Sequence, residues 1–406
     1  MGTKTHLPMD GIPRATEAAC AACGGAELDV FFSIESLPVN CIALGTTREA
    51  ARGVAKGEIE LGFCRCCGAV SNLLFDVAKL TYDQNYDNSL HFSPIFQGYA
   101  EEIAQDLVER YHLRGKKIVE IGCGNAEFLS LLCGLGNNRG LGFDPAFIAG
   151  RADLQAGQGI TIIRDYFSEQ YAHHEADFVI CRHTLEHIST PRRFLRSMRA
   201  ALARNSDASI FFEVPNASFV FQSKGIWDVI YEHCFYYSAG ALARLFSASG
   251  FDVQRVASTF DGQYLCLEAR MSSGEIGTLG NAGGDLDEMR EETCAFAEEY
   301  RATRAHWERA LSHFAEERKR VALWGAGAKG AMFLNAFHHV STLEYIVDVN
   351  PHKWGLYVPG TGQRVVSPEF LKTYQPDVLL IANPNYRDEI SRQMSALGIQ
   401  ASLVSI

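Results

Sequence analysis

Residues Ile226 to Ser238 read IWDVIYEHCFYYS, five aromatic rings about an adjacent acid and imidazole, Glu232 and His233. Aromatic side chains favour burial, and a buried Glu-His pair is costly unless it is hydrogen-bonded or employed. An imidazole changes charge near neutral pH, so His233 is a candidate general base. Glu232 could orient its ring or stabilise its cation, and Tyr231 is a second group able to handle a proton. The competing reading is structural. Trp227, Tyr231, Phe235 and Tyr236 would cap a sheet, and His233 would bond to backbone.

A second pattern concerns metal. Cys20-Ala-Ala-Cys23-Gly and Cys64-Arg-Cys66-Cys67-Gly are two Cys-x-x-Cys-Gly turns, each aiming two thiolates at one point. Together Cys20, Cys23, Cys64 and Cys67 supply four soft ligands for tetrahedral zinc. The two-residue spacing favours Cys64 and Cys67 over Cys66. No open ligand position is evident, so the expected role is structural.

A third pattern suits a nucleoside. In VEIGCGNAEFL, Glu120, Gly122, Cys123 and Gly124 form the strand-to-helix turn by which methyltransferases receive S-adenosylmethionine. Glycines there let the backbone approach the ligand. Asp144 ends the next strand, where an acid can take both ribose hydroxyls. Asp165 ends the third strand and could meet the adenine amino group, with Tyr166 packed on the ring. His183 ends the fourth strand over the same crevice. Glu186 and His187 read as capping and packing. Glu127 stands where a dinucleotide fingerprint has its third glycine, which argues against NAD at this turn.

The elements that must position these groups follow from the whole chain. Its 406 residues are 47% hydrophobic, enough for two or three domains. The net charge is −11, with no basic run to suggest nucleic acid, so a small-molecule partner is expected. No segment is long and apolar enough for a bilayer, and the first residues lack the apolar core of a signal peptide. A cytoplasmic protein is expected, with its 12 cysteines as thiols or metal ligands. KIVEIG, GLGFDP, ITIIRDYF, ADFVICRH and ASIFFEVP read as buried strands separated by helices, the pattern of a doubly wound parallel sheet. FDVQRVAST and QYLCLEAR read as a closing hairpin. SSGEIGTLGNAGG is a Gly-rich linker, followed by one amphipathic helix from Asp285 to about Arg318.

A second alternating unit then begins. Gly325-Ala-Gly327-Ala-Lys329-Gly330 satisfies Gly-x-Gly-x-x-Gly, and Asp348 sits near the end of the next strand. Alone this suggests NAD. Lys329 could instead neutralise a nucleotide phosphate, with Asn383 and Asn385 at the same rim. A structural or substrate-clamping use is preferred. The expected class is α/β. A zinc-binding module (1–80) precedes a class I methyltransferase sheet (81–272), and a long helix leads into a Rossmann-like domain (285–406).

The cysteine pairs, EIGCGNAEFL, TLEH, EVPN, YEH and WGAGAKG…VDVNPHKWG…VPGTG…PD occur in an order that resembles the bacterial three-domain sugar C-methyltransferases. That resemblance covers nearly the whole chain. It implies a nucleotide-linked keto-deoxysugar substrate from a natural-product or polysaccharide pathway, and a histidine base. The family's Tyr-x-Glu-His falls on Ile230, Tyr231, Glu232 and His233, so Glu-His is kept and the tyrosine stands one place along. Tyr86 and His91, Asn216, Trp227 and Tyr236 are the remaining candidate substrate contacts. Three alternatives stay open: an O- or N-methyltransferase, a bifunctional or NAD-dependent oxidoreductase built on the second Gly turn, and a non-catalytic binding protein that kept the fold. A monomer or a homodimer is expected.

Overall fold

The computed structural model describes residues 14–16, 18–80, 89–151, 159–203, 205, 207–272, 285–339 and 343–406. Tyr86 and most of the Gly-rich linker lie outside the described residues. The chain forms three sheets. In the first, β1 (Arg14–Thr16), β2 (Leu28–Pro38), β3 (Lys56–Cys64) and β4 (Val70–Asn72) run antiparallel. A bulge between Val30 and Phe32 interrupts the alternation of β2. Phe31 and Phe32 both reach Phe296 of the helix Asp285–Glu316.

The middle sheet is built from strands that are nearly continuous apolar runs, as expected where helices cover both faces. They are β5 (Lys117–Ile121), β6 (Arg139–Phe143), β7 (Ile160–Ile163), β8 (Phe178–Arg182) and β9 (Ser209–Pro215). The next strand, β10 (Phe235–Tyr236), leaves this sheet and pairs with β4, Phe235 opposite Ser71 and Tyr236 opposite Val70. The expected hairpin closes the middle sheet as β11 (Phe251–Thr259) and β12 (Tyr264–Met271). Strand order is β11-β12-β9-β8-β5-β6-β7, with β12 antiparallel to both neighbours. Successive connections reverse direction between β5 and β8, so a crevice opens at their carboxyl ends.

The long helix ends at Glu316, close to the expected boundary. Beyond it, β13 (Val321–Trp324), β14 (Leu343–Val347), β15 (Arg364–Val366), β16 (Val378–Ile381) and β17 (Ser402–Ser405) form a parallel sheet ordered β15-β14-β13-β16-β17. One apolar core joins β2 and β3, the aromatic stretch, the long helix and this last sheet. Trp227, for example, packs on Tyr300, Phe333 and Phe337. Among the described residues, no helix is long and apolar enough to cross a membrane.

Candidate active site and metal centre

The eight residues expected to meet S-adenosylmethionine line one cavity of about 660 Å³ at the carboxyl ends of β5, β6 and β8. Gly122 and Gly124 take φ of +71° and +53°, a region that glycine enters without cost. A Cβ on Gly122 would stand 2.0 Å from Thr184 Oγ1, whereas one on Gly124 would meet nothing within 4 Å. Gly124 thus presents bare backbone to open space. Asp144 Oδ2 accepts the Gly124 N–H at 2.8 Å and Oδ1 accepts that of Ala146 at 2.8 Å. Each oxygen keeps a lone pair for a ribose hydroxyl. Burial raises the Asp144 carboxyl above its ordinary value.

Glu120 is 3% exposed, and its Oε2 has no partner among the described residues. Burial pushes its carboxyl up to about 8, so a cationic ligand group would stabilise its ionised form. Asp165 accepts from the Tyr171 hydroxyl at 2.6 Å and from Tyr166 N–H at 2.8 Å. Tyr166 is 59% exposed at the cavity edge. His91, offered as a substrate contact, lies in this cavity too. Its ring is held neutral to about pH 4 by burial and then by the charges of Arg182 and His183. Glycine-lined backbone, an acid for the ribose and an unmatched buried carboxylate fit the cofactor.

A second cavity, about 210 Å³, lies between the middle sheet and the C-terminal Gly turn. Both cavities are lined by His183 and His187, so they meet there. His183 has φ +49°, and its Nε2 stands 2.7 Å from Glu213 Oε1. Glu213, wholly buried on β9, also receives Arg182 Nε at 3.0 Å and Nη2 at 3.3 Å. Burial would raise this carboxyl, but Arg182 and His183 hold it down at about 2. Neither Glu213 nor Arg182 was singled out in the sequence. Their signal was a charge inside an otherwise apolar strand.

His233 lines the second cavity, edge-on to His187 with ring centroids 5.0 Å apart. Glu186, His187 and His233 each bring a ligand or proton-accepting atom within 4.8 Å of the others. Glu186 Oε2 and His233 Nδ1 lack partners among the described residues. Burial raises the Glu186 carboxyl to about 8, lowers His187 to about 4 and holds His233 well below its ordinary value. Glu186 and His187, read above as capping and packing, thus line the same cavity as His233.

The rest of the aromatic stretch departs from expectation. Glu232 does not reach the His233 ring. It is 0% exposed, and its Oε1 accepts the Cys41 N–H at 3.0 Å from the first module. Burial pushes its carboxyl up to about 7. Tyr231 is equally buried. Its hydroxyl accepts the Asp76 N–H at 2.9 Å, and its ring fills the space a Cβ on Gly57 would need. Tyr231 therefore anchors the first module and faces neither cavity. Tyr236 closes a turn on the Ile230 N–H and carbonyl, each at 3.2 Å. Trp227 belongs to the interdomain core. Asn216 caps a short helix through Ser218 N–H at 3.2 Å and donates to Gly262 O at 2.9 Å. The side chain on the cavity wall where the family pattern has tyrosine is Ile230.

Across the second cavity, Lys329 pairs with Asp228 and lies over the Phe219 ring at 5.7 Å. Asn383 donates to Gln263 Oε1 at 3.0 Å, bridging the C-terminal domain to the β11–β12 hairpin. Both line the cavity.

The four cysteines converge. Cys20 and Cys67 sulfurs are 3.7 Å apart, Cys23 and Cys64 sulfurs 3.6 Å. Metal–sulfur bonds of ~2.3 Å in a tetrahedron give sulfur–sulfur edges of roughly 3.8 Å, so the group could hold such an ion. The middle domain grips both turns. Arg244 Nε donates to Cys67 O at 3.0 Å and Arg192 Nη1 to Cys23 O at 3.3 Å.

Comparison with known proteins agrees with this geometry. A methyltransferase domain model matches residues 96–256, and a C-methyltransferase C-terminal domain model matches residues 285–403. The C-methyltransferase NovU of Streptomyces niveus is 28% identical over 389 residues, spanning 91% of this chain and 90% of its own. Similar solved structures include the magnesium protoporphyrin IX methyltransferase ChlM of Synechocystis PCC 6803 with bound SAH. It is 19% identical and covers 47% of this chain and 91% of that one, with a TM-score of 0.34. The Burkholderia thailandensis 1,6-didemethyltoxoflavin-N1-methyltransferase is 17% identical over 44% of this chain and 82% of that one, with a TM-score of 0.34. The chain belongs with the S-adenosylmethionine-dependent methyltransferases that carry a C-methyltransferase C-terminal domain behind the catalytic one.

Proposed function

We propose that this enzyme methylates a carbon next to a ketone on a nucleotide-linked deoxysugar. The observation that carries the reading is the meeting of two cavities at His183 and His187, one suited to the methyl donor and the other reaching the C-terminal Gly turn. In the first, Gly122, Cys123 and Gly124 would meet the amino-acid end of the donor through backbone, beside Glu120. Asp144 would take the ribose hydroxyls, and Asp165 with Tyr166 the adenine. Bound S-adenosylmethionine supplies an electrophilic methyl group on a sulfonium.

His233 is the base in this reading. Burial keeps it neutral, and so able to accept the proton alpha to the ketone. Much of the rate would come from holding donor and acceptor carbons close in one water-poor opening. The nucleotide would extend toward the helix Ala328–Ala336, where Lys329 and the helix N-terminus favour phosphate. Asn383 would contact the same part. The family resemblance supports the sugar, and the relative's C-methyltransferase name supports carbon. We assign zinc to the four cysteines, as a structural ion, which elemental analysis should find at about one per chain. Twelve cysteines with no disulfide among the described residues suit a reducing compartment, and we place the enzyme in the cytoplasm.

Incubation of the enzyme with methyl-labelled S-adenosylmethionine and nucleoside-diphosphate-linked keto-deoxysugars tests this. The expected product carries the label on carbon by NMR. Label on oxygen or nitrogen, or none on this substrate class, overturns the reading.

A further inference from the structure

His183 stands apart from the other imidazoles at the junction. Like His187 it lines both cavities, with 21% of its side chain accessible, but its backbone and its carboxylate neighbour differ. Its backbone is in the left-handed region at φ +49°, an unfavourable conformation for a residue with a Cβ. Two contacts to one residue hold it so. The His183 N–H donates to Glu213 O at 2.8 Å, and Nε2 lies 2.7 Å from Glu213 Oε1, in ion-pair range but off the line of a hydrogen bond. The carboxylate is itself fixed by Arg182, whose guanidinium rests 4.0 Å over the Phe128 ring. Tyr264 packs against the imidazole at 4.7 Å between centroids. A buried carboxylate beside one ring nitrogen fixes the orientation of the ring, as in the acid–histidine pairs of hydrolases. His233 has no such partner. The two histidines are therefore equipped for opposite tasks.

We propose that His183 is a catalytic hydrogen-bond donor that receives the acceptor's carbonyl oxygen as negative charge develops on it, with Glu213 and Arg182 as its positioning residues. This rests on the carbon-acceptor reading above. As His233 takes the proton alpha to the ketone, the C–H electron pair becomes the second, π bond of the enolate's carbon–carbon double bond. The carbonyl π pair moves to oxygen, where the His183 N–H meets it. No oxidant or further reactant is needed.

The step can be isolated by incubating enzyme, S-adenosylhomocysteine and the keto sugar in D2O and following loss of the alpha proton by NMR. His183→Gly is the informative variant, because glycine adopts φ +49° without strain. Exchange should fall by roughly 10²–10³, the range for a lost oxyanion donor, and methyl transfer should fall with it. S-adenosylhomocysteine affinity should stay nearly unchanged, and added imidazole should restore part of the exchange. Glu213→Gln should slow exchange less. His183→Asn, which also tolerates the left-handed backbone and keeps an N–H donor, should fall between His183→Gly and wild type. Wild-type exchange in His183→Gly with weakened S-adenosylhomocysteine binding overturns the proposal and makes His183 a cofactor contact. A wild-type enzyme that transfers methyl without exchanging the proton overturns the carbon-acceptor reading, and this proposal with it.

Discussion

The two glycine turns are built alike and end in different chemistry. In each, an acid at the end of the following strand accepts a backbone N–H from the turn. Asp144 takes Gly124 and Asp348 takes Ala326, both at 2.8 Å. In each, the acid's other oxygen accepts an N–H two residues on, from Ala146 or from Asn350, again at 2.8 Å. What differs is the charge nearby. The first turn gathers Glu120, Asp144 and Asp165 around its cavity, which suits a ligand carrying a sulfonium and an ammonium. The second brings its own cations. Lys353 Nζ lies 3.5 Å from Asp348 Oδ2 and donates to Ala326 O at 3.0 Å, while Lys329 faces the same cavity. An acid already opposite a lysine is a weaker acceptor for a ribose, and Lys329 likewise stands opposite an acid, Asp228. A Gly-x-Gly pattern at a strand-to-helix turn therefore fixes the backbone but leaves its ligand to the side chains around it.

The strongest expected effect separates chemistry from both turns. His233→Ala should reduce kcat by roughly 10²–10⁴, as for a lost general base, with S-adenosylmethionine affinity nearly intact by calorimetry. Next comes the first turn. Asp144→Ala should weaken S-adenosylmethionine by about 1–3 kcal/mol, the usual worth of hydrogen bonds to a charged group. Asp348→Asn should leave that affinity alone, and a loss there would show that the two turns had been assigned the wrong way round.

The smallest effect is on stability, between two fully buried carboxyls. Glu213 is held down at about 2 by its cations, and Glu232 is pushed up to about 7 by burial. A carboxyl raised above its unfolded value contributes stability that is present below the unfolded pKa and lost as pH rises through the folded one. For Glu232 that window runs from about 4 to about 7. Thermal melts of Glu232→Gln should therefore lose less stability than wild type across it. A parallel decline in both proteins would mean that Glu232 is not the group responsible.

The cofactor side was legible in the sequence because its residues are local to strand ends. A glycine turn after a buried strand, followed by acids at the next two strand ends, needs only the order of elements to converge. The four cysteines were legible through spacing alone. The acceptor side was not, because its aromatic stretch is divided among three partners that sequence order does not reveal. β10 leaves the middle sheet for β4, so Tyr231 and Glu232 turn to Asp76 and Cys41 of the first module. Trp227 goes to the C-terminal core, and Asp228, Ile230 and His233 remain on the cavity wall. Glu213 was hidden for the opposite reason. It sits within EVPN, and nothing local shows that Arg182 and His183 wait on the adjacent strand.

The most direct measurement is a calorimetric cross-titration of wild type, Asp144→Ala and Lys329→Ala with S-adenosylmethionine, a nucleoside diphosphate and NADH. S-adenosylmethionine should bind wild type and Lys329→Ala alike and weaken in Asp144→Ala. The nucleoside diphosphate should bind wild type and Asp144→Ala alike and weaken in Lys329→Ala by about 1.5–3 kcal/mol, the worth of a hydrogen bond to a charged group. NADH should show no comparable site. Tight NADH binding that survives Asp144→Ala, or a nucleoside diphosphate indifferent to Lys329, would contradict the division of labour between the two turns.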